Sequence, residues 1–293
     1  MFDFRYHALS LVAVFVALAI GLLLGVAIGD AGLVSGAETD LRRSLRGDVE
    51  EARAESAALR EELERRERYE RQTFPALVGG RLDNRRVALV FVGDRSDDVF
   101  DGVSQTVRAA GGELRFVTTL RSPVDVEALD ELAAGTRVAG VAGDETALSE
   151  LGERAGTQLV RGGRLVGRLR PELLASSNGE LGPVEAVVVA RAPAADDEQA
   201  EGADAARALA AALVRGMRRA RVPVVGVETV GTQPSQVEWY VDHGLASVDN
   251  VEQVPGMVSL AFALTGGAEG HYGVKPTRDA LLPDAVASPG GAG

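Results

Sequence analysis

The chain of 293 residues has no cysteine. That excludes disulfides, thiolate metal sites and a cysteine nucleophile. It fits either side of a bacterial-type membrane and does not choose between them. Histidine and methionine number three each: His7, His243 and His271, and Met1, Met217 and Met257. No two of these share a metal-ligand spacing such as i, i+4. Also missing are a Walker A loop, a G-x-G-x-x-G after the first strand, a G-x-S-x-G elbow and an H-E-x-x-H pair. No catalytic residue, enzymatic activity or bound cofactor is expected. An excess of basic charge is lacking too. The net charge is -12 and the pI about 4.9, which argues against nucleic acid as a partner, because phosphate binding needs a basic face.

What the chain does have is one long apolar run. Residues 8–29 are uncharged, and Ser10 alone interrupts their apolar and small side chains. As a helix the run spans about 33 Å, enough to cross a bilayer. A signal peptide is the competing reading, with Ala27-Ile28-Gly29 as a poor cleavage site. Its apolar region is usually about 7–15 residues, so an uncleaved anchor after a short tail, residues 1–7, is the better reading. Ala13, Ala17, Gly21, Gly25 and Gly29 recur every fourth residue. On a helix they form a smooth strip of the kind that lets two membrane helices pack closely. The bland alternative is that Gly and Ala are common in membrane helices. Basic residues flank the run too evenly to fix its orientation. A short tail followed at once by an apolar run inserts as a signal anchor, which places the N-terminus inside and the body outside the cytoplasm.

Residues 38–72 read as one helix, rich in Ala, Glu, Arg and Leu. Leu45, Val49, Ala52, Ser56, Leu59 and Leu63 alternate by four and three, a heptad seam of about three repeats. A solvated single helix is the plain reading, and a parallel dimeric stalk continuous with the glycine strip is the sharper one. Residues 73–84, with Pro75 and Gly79-Gly80, read as a linker.

From residue 85 the pattern changes. Continuous apolar strands at 86–92, 114–120, 184–190 and 222–227, with a short one at 246–248, alternate with helices at 97–110, 123–134, 144–160, 204–219, 236–243 and 255–264. Ser122 is the expected cap of the second helix. This alternation predicts an α/β domain over residues 85–276, a doubly wound and mainly parallel sheet covered on both faces. Residues 192–202 read as an acidic loop, and residues 277–293 as a disordered tail.

Two segments carry a recognisable signature: RYHALSLVAVFVALAIGLLLG at residues 5–25, and ASVDNVEQVPGMVSLAFALTGGAEGHYGV at residues 246–274. Together they resemble the actinobacterial copper transport family typified by mycobacterial copper transport protein B, and the likeness covers essentially the whole chain. It implies a membrane-bound role in copper efflux or copper tolerance at the cell envelope, with copper as the transported species, and channel or outer-membrane behaviour. A membrane-anchored dimeric scaffold or ligand-sensing module without transport is the alternative. Copper(I) prefers thiolate and thioether ligands and copper(II) prefers imidazole, so the thin donor inventory predicts weak direct copper binding.

In doubly wound sheets ligands sit at the carboxyl ends of strands. Those ends offer Asp94, Arg191, Glu228-Thr229 and Asp249-Asn250. Capping of the following helix explains each residue separately. Asp249 and Asn250 stand apart, because Pro255-Gly256 and the His271 loop lie in the same signature. Asp249, Asn250 and His271 are therefore expected to pair by hydrogen bonds at a small polar rim.

Overall fold

The structure, a computed structural model, describes residues 4–29, 33–136, 138–193 and 202–287. Residues 1–3 of the tail, 30–32 of the expected continuous rod, 194–201 of the acidic loop and 288–293 lie outside the described residues. Contacts divide the chain into two compact units, Met1–Arg68 and Tyr69–Gly293.

The first unit contains helix α1 (Phe4–Gly29) and most of α2 (Leu33–Val78). Within α1, Tyr6–Gly29 is long and apolar enough to cross a membrane, and none of that span is buried within the protein. A Cβ added at Gly21, Gly25 or Gly29 would meet nothing within 4 Å, so the strip is open along the helix.

Helix α2 overruns the expected linker. Pro75 lies inside it, where proline removes a helical hydrogen bond at a cost of about 3 kcal/mol. Phe74 and Val78 offset that cost, since both are fully buried against the sheet of the second unit, each worth about 1.5–3 kcal/mol. The chain then turns through Gly80, at φ +76°, and buries Leu82. Hydrophobic anchoring of this segment is why residues 73–84 do not form a free linker.

The second unit is built on a seven-stranded sheet in the order β3-β2-β1-β4-β5-β6-β7. Its strands are β1 (Arg86–Val92), β2 (Glu113–Leu120), β3 (Leu174–Gly179), β4 (Ala186–Arg191), β5 (Val224–Val227), β6 (Ala246–Val248) and β7 (His271–Tyr272). Every neighbouring pair is parallel except β2 with β3. Successive side chains of a strand point to opposite faces. Val87, Leu89 and Phe91 of β1 enter one core, and Ala88 and Val90 enter the other. Both faces are buried, which is why these strands read as unbroken apolar runs.

One face carries α4 (Val126–Ala133), α5 (Glu145–Arg161), α6 (Arg164–Leu173) and α7 (Ala203–Arg219). The other carries α3 (Asp97–Ala109), α9 (Val254–Ala263) and the end of α2. The short α8 (Val237–Asp242) joins β5 to β6. Helix α3 is capped by Ser96 and α5 by Asp144. The cap of α4 is Asp125, which accepts from the Ala128 amide at 2.9 Å, and not Ser122 as expected. The carboxylate stands three residues before that free amide, as an N-cap requires.

Residues 277–287 of the expected disordered tail are held by contacts with the body. Asp279 N donates to His271 O at 2.8 Å, and Ala280 bridges Tyr272. Leu282 and Val286 pack on the core ahead of and within α10 (Asp284–Ala287). Two apolar side chains and a strand-edge bridge supply the contacts that composition alone did not reveal.

Candidate functional site

The parallel strands β5, β6 and β7 end at the same edge of the sheet, and each is followed by a buried polar residue. Glu228 follows β5, Asp249 and Asn250 follow β6, and Lys275 comes three residues after β7. Glu228 and Asp249 are 1% exposed, Asn250 is fully buried and Lys275 is 7% exposed.

Lys275 organises the cluster. Its Nζ lies 2.6 Å from Glu228 Oε1 and also donates to Thr232 O at 2.9 Å. Glu228 further accepts from Ser235 Oγ at 2.7 Å and from the Gln236 amide at 2.6 Å. A buried carboxylate is costly unless paired and hydrogen-bonded, and this one is both. The ammonium occupies the place a bound cation would take beside Glu228. Sequence reasoning missed Lys275. The available signal was its rarity, since it is the only lysine among 31 Lys and Arg residues.

Asp249 and His271 lie on neighbouring strands, but they do not bond to each other. The register pairs His271 with Ser247, two residues before Asp249, and His271 Nδ1 lies 2.9 Å from Ser247 Oγ. Asp249 instead accepts from the amides of Val274 at 2.7 Å and Lys275 at 3.0 Å. A Cβ at Gly273, where φ is +140°, would fall 2.0 Å from Asp249 Oδ1. The carboxylate therefore fills the space of a missing side chain and ties down the loop that delivers Lys275. Asn250 turns towards α9: its Nδ2 donates to Gln253 Oε1 at 3.4 Å, and its backbone carbonyl closes on Gly256, where a Cβ would lie 2.0 Å away. The expected hydrogen-bonded trio of Asp249, Asn250 and His271 is thus not formed. Strand register separates its members, and each is engaged locally.

The remaining strand ends have separate roles. Asp94 stays exposed beyond β1. The Arg191 amide donates to Tyr240 Oη at 2.9 Å, and that hydroxyl donates to Val227 O at 2.8 Å, stitching the ends of β4 and β5 together. Tyr240 is fully buried, and its phenol is pushed far up from its usual pKa by desolvation. The Arg191 guanidinium bonds Gln236 Oε1 and lies 5.3 Å from the Trp239 ring centroid. Burial lowers its pKa, and nearby Arg207 lowers it further. At the opposite, amino edge of the sheet a hollow of about 410 Å³ is lined by Gln158, Gly163, Arg170 and Glu180 among others.

The chain matches the family described as "Copper transport outer membrane protein, MctB" over residues 1–283. The chain belongs to this family. It is 26% identical over 314 aligned positions to the protein named copper transporter MctB from Mycobacterium bovis, and equally to its Mycobacterium tuberculosis counterpart. In each case the alignment covers 93% of this chain and 96% of the relative. With its apolar α1, this MctB-family chain is a membrane protein.

Its soft donors are dispersed. Met217 is packed in the core on the α7 face, and Met257 in the core on the α9 face. His243 stacks on Trp239 with ring centroids 4.0 Å apart, and its Nδ1 lies 2.7 Å from Trp239 O. Among the described residues no three His, Cys, Asp or Glu side chains form a metal-sized group.

Proposed function

We propose that this protein is a copper-handling component of the cell envelope, anchored in lipid by α1, with its N-terminus inside and its α/β body outside. The supporting observation is the extent of the family match, which runs through anchor, α2 and body alike. In this reading copper is cargo and not a resident cofactor. One helix cannot enclose a pore, so conduction through the anchor needs several copies. The described strands lie in a single open sheet, whereas an outer-membrane barrel needs a closed ring of long alternating strands. Membrane attachment therefore rests on the helix.

Deleting the gene and measuring intracellular copper tests this reading. The deletion strain is expected to be copper-sensitive and to accumulate copper, and the full chain should restore tolerance. Unchanged tolerance and copper content would sink it.

A second reading, a membrane-anchored scaffold or ligand-sensing module without transport, is favoured by the dispersal of the soft donors, with Met217 and Met257 buried on opposite faces of the sheet. Copper flux into vesicles holding the full chain separates the two, since the scaffold moves no copper.

A further inference from the structure

We infer that residues 45–63 of α2 pair with the same segment of a second copy of this chain, parallel and in register. The inference concerns assembly and does not depend on the copper reading. It begins with exposure. Leu45, Val49, Leu59 and Leu63 are 53%, 47%, 55% and 57% exposed along one stripe of α2. In heptad terms Leu45, Ala52 and Leu59 fall at d, and Val49, Ser56 and Leu63 at a. A β-branched residue at a with leucine at d favours two parallel strands. Ser56 is the one polar residue at these a positions.

The flanking charges decide the partner and its direction. Position e is Arg46, Arg53 and Arg60, and position g is Asp48, Glu55 and Glu62. In a parallel pair each g residue faces the e residue of the partner's next heptad. Asp48 then meets the partner's Arg53, Glu55 meets the partner's Arg60, and symmetry repeats both contacts. In an antiparallel pair e faces e and g faces g, which sets arginine against arginine and acid against acid. One strand orientation is complementary and the other is self-repelling.

The ion pairs within the chain fit the same division. Arg43–Asp40, Arg65–Glu61 and Arg68–Glu64 lie on the outward b, c and f positions. Arg46, Asp48, Arg53, Glu55 and Arg60 are all exposed and form no ion pair among the described residues. Glu62 is the one g acid held within the chain, by Arg66 at 2.5 Å. Its next e partner would be Glu67, so complementarity ends where Arg66 and Glu70 interrupt the seam. About three heptads make a weak coil in dilute solution. An anchor just ahead of the seam confines copies to one membrane and raises their effective concentration.

The absence of cysteine makes the test clean, since every thiol is an introduced one. Full-length chains carrying Ala52→Cys, at d, or Ala54→Cys, at f, are treated with a short bismaleimide in the membranes of expressing cells. Ala52→Cys should crosslink strongly and Ala54→Cys weakly. On the Ala52→Cys background, R53E/R60E and D48R/E55R each set like charges against each other in every g–e contact. Each alone should crosslink about tenfold less, because four interhelical contacts change sign. Coexpressed, the two variants restore every contact, and mixed crosslinks should return to the parental yield. That recovery also shows that neither variant has lost its helix. Equal crosslinking at Ala52 and Ala54, charge variants that crosslink like the parent, or a mixture no better than either variant alone would each overturn the pairing.

Discussion

At the scale of the residue, Lys275 carries the clearest consequence. Its ammonium is the counter-charge to a carboxylate that is only 1% exposed, and it reaches Glu228 from a loop 47 residues away in sequence. Removing one partner of such a pair leaves a buried uncompensated charge. Lys275→Met is therefore expected to cost about 3–5 kcal/mol. Adding Glu228→Gln neutralises the stranded carboxylate and should recover part of the loss. Chemical denaturation of the two variants checks this, and a double variant no more stable than Lys275→Met would show that the charge pair is not the cause. Tyr240→Phe is a second case. It leaves the Arg191 amide and the Val227 carbonyl without the hydroxyl that joins them, and a loss of about 2 kcal/mol is expected. Glu185 adds a pH dependence. Its hydrogen bond and ion pair with Arg86 hold its pKa below the ordinary 4.5. The folded state thus binds this proton less readily than the unfolded chain, and the stabilisation is present above pH 4.5 and lost as pH falls through the depressed value. Glu185→Gln should flatten the acid limb of a stability curve, modestly, because both side chains are more than a third exposed.

At the scale of the element, legibility in the sequence follows how completely each element is buried. β1 and β4 are covered on both faces, so their unbroken apolar runs mark them as strands from sequence alone. β3 is the sheet edge, and its LASSNG sequence is mostly exposed, so nothing in its composition announces a strand. α6 carries Pro171 within it, and β7 is two residues long and held by neighbours. The candidate site divides in the same way. Asp249 and Asn250 are legible because they follow a short strand, but the pairing of Lys275 with Glu228 is long-range and leaves no local pattern. The α5–α7 contact is another long-range feature. A Cβ at Gly156 would fall 2.0 Å from Leu213 O, and one at Gly216 would fall 2.0 Å from Glu153 O. Gly156→Ala should force the two helices apart and cost about 1–3 kcal/mol, although alanine is the better helix former. A thermal melt that rises in this variant would mean that backbone propensity outweighs the close approach.

At the scale of the whole molecule, the question is how a copper-transport family member handles copper with so few soft ligands. Copper(I) held tightly needs thiolate or thioether donors converging on one point, and copper(II) needs imidazoles in a tetragonal array. This chain has no thiol. Met217 is fully buried on one face of the sheet and Met257 is 6% exposed on the other, so the central layer stands between them. His271 is engaged through Nδ1 by Ser247 and His243 through Nδ1 by the Trp239 carbonyl, so each ring offers a single nitrogen, Nε2, and neither belongs to a group of three potential ligands among the described residues. The Lys275 ammonium beside Glu228 repels a cation from that buried carboxylate of the rim. Among the described residues the body assembles no such ligand group, and weak, transient copper binding is the expectation. The purified full chain, loaded with copper and then dialysed, is expected to retain well under one ion per chain. A stoichiometric ion surviving dialysis would contradict this. His271→Ala should then release it if the imidazole at the end of the sheet is the ligand, and retention by that variant would direct the search to His7 at the start of the anchor.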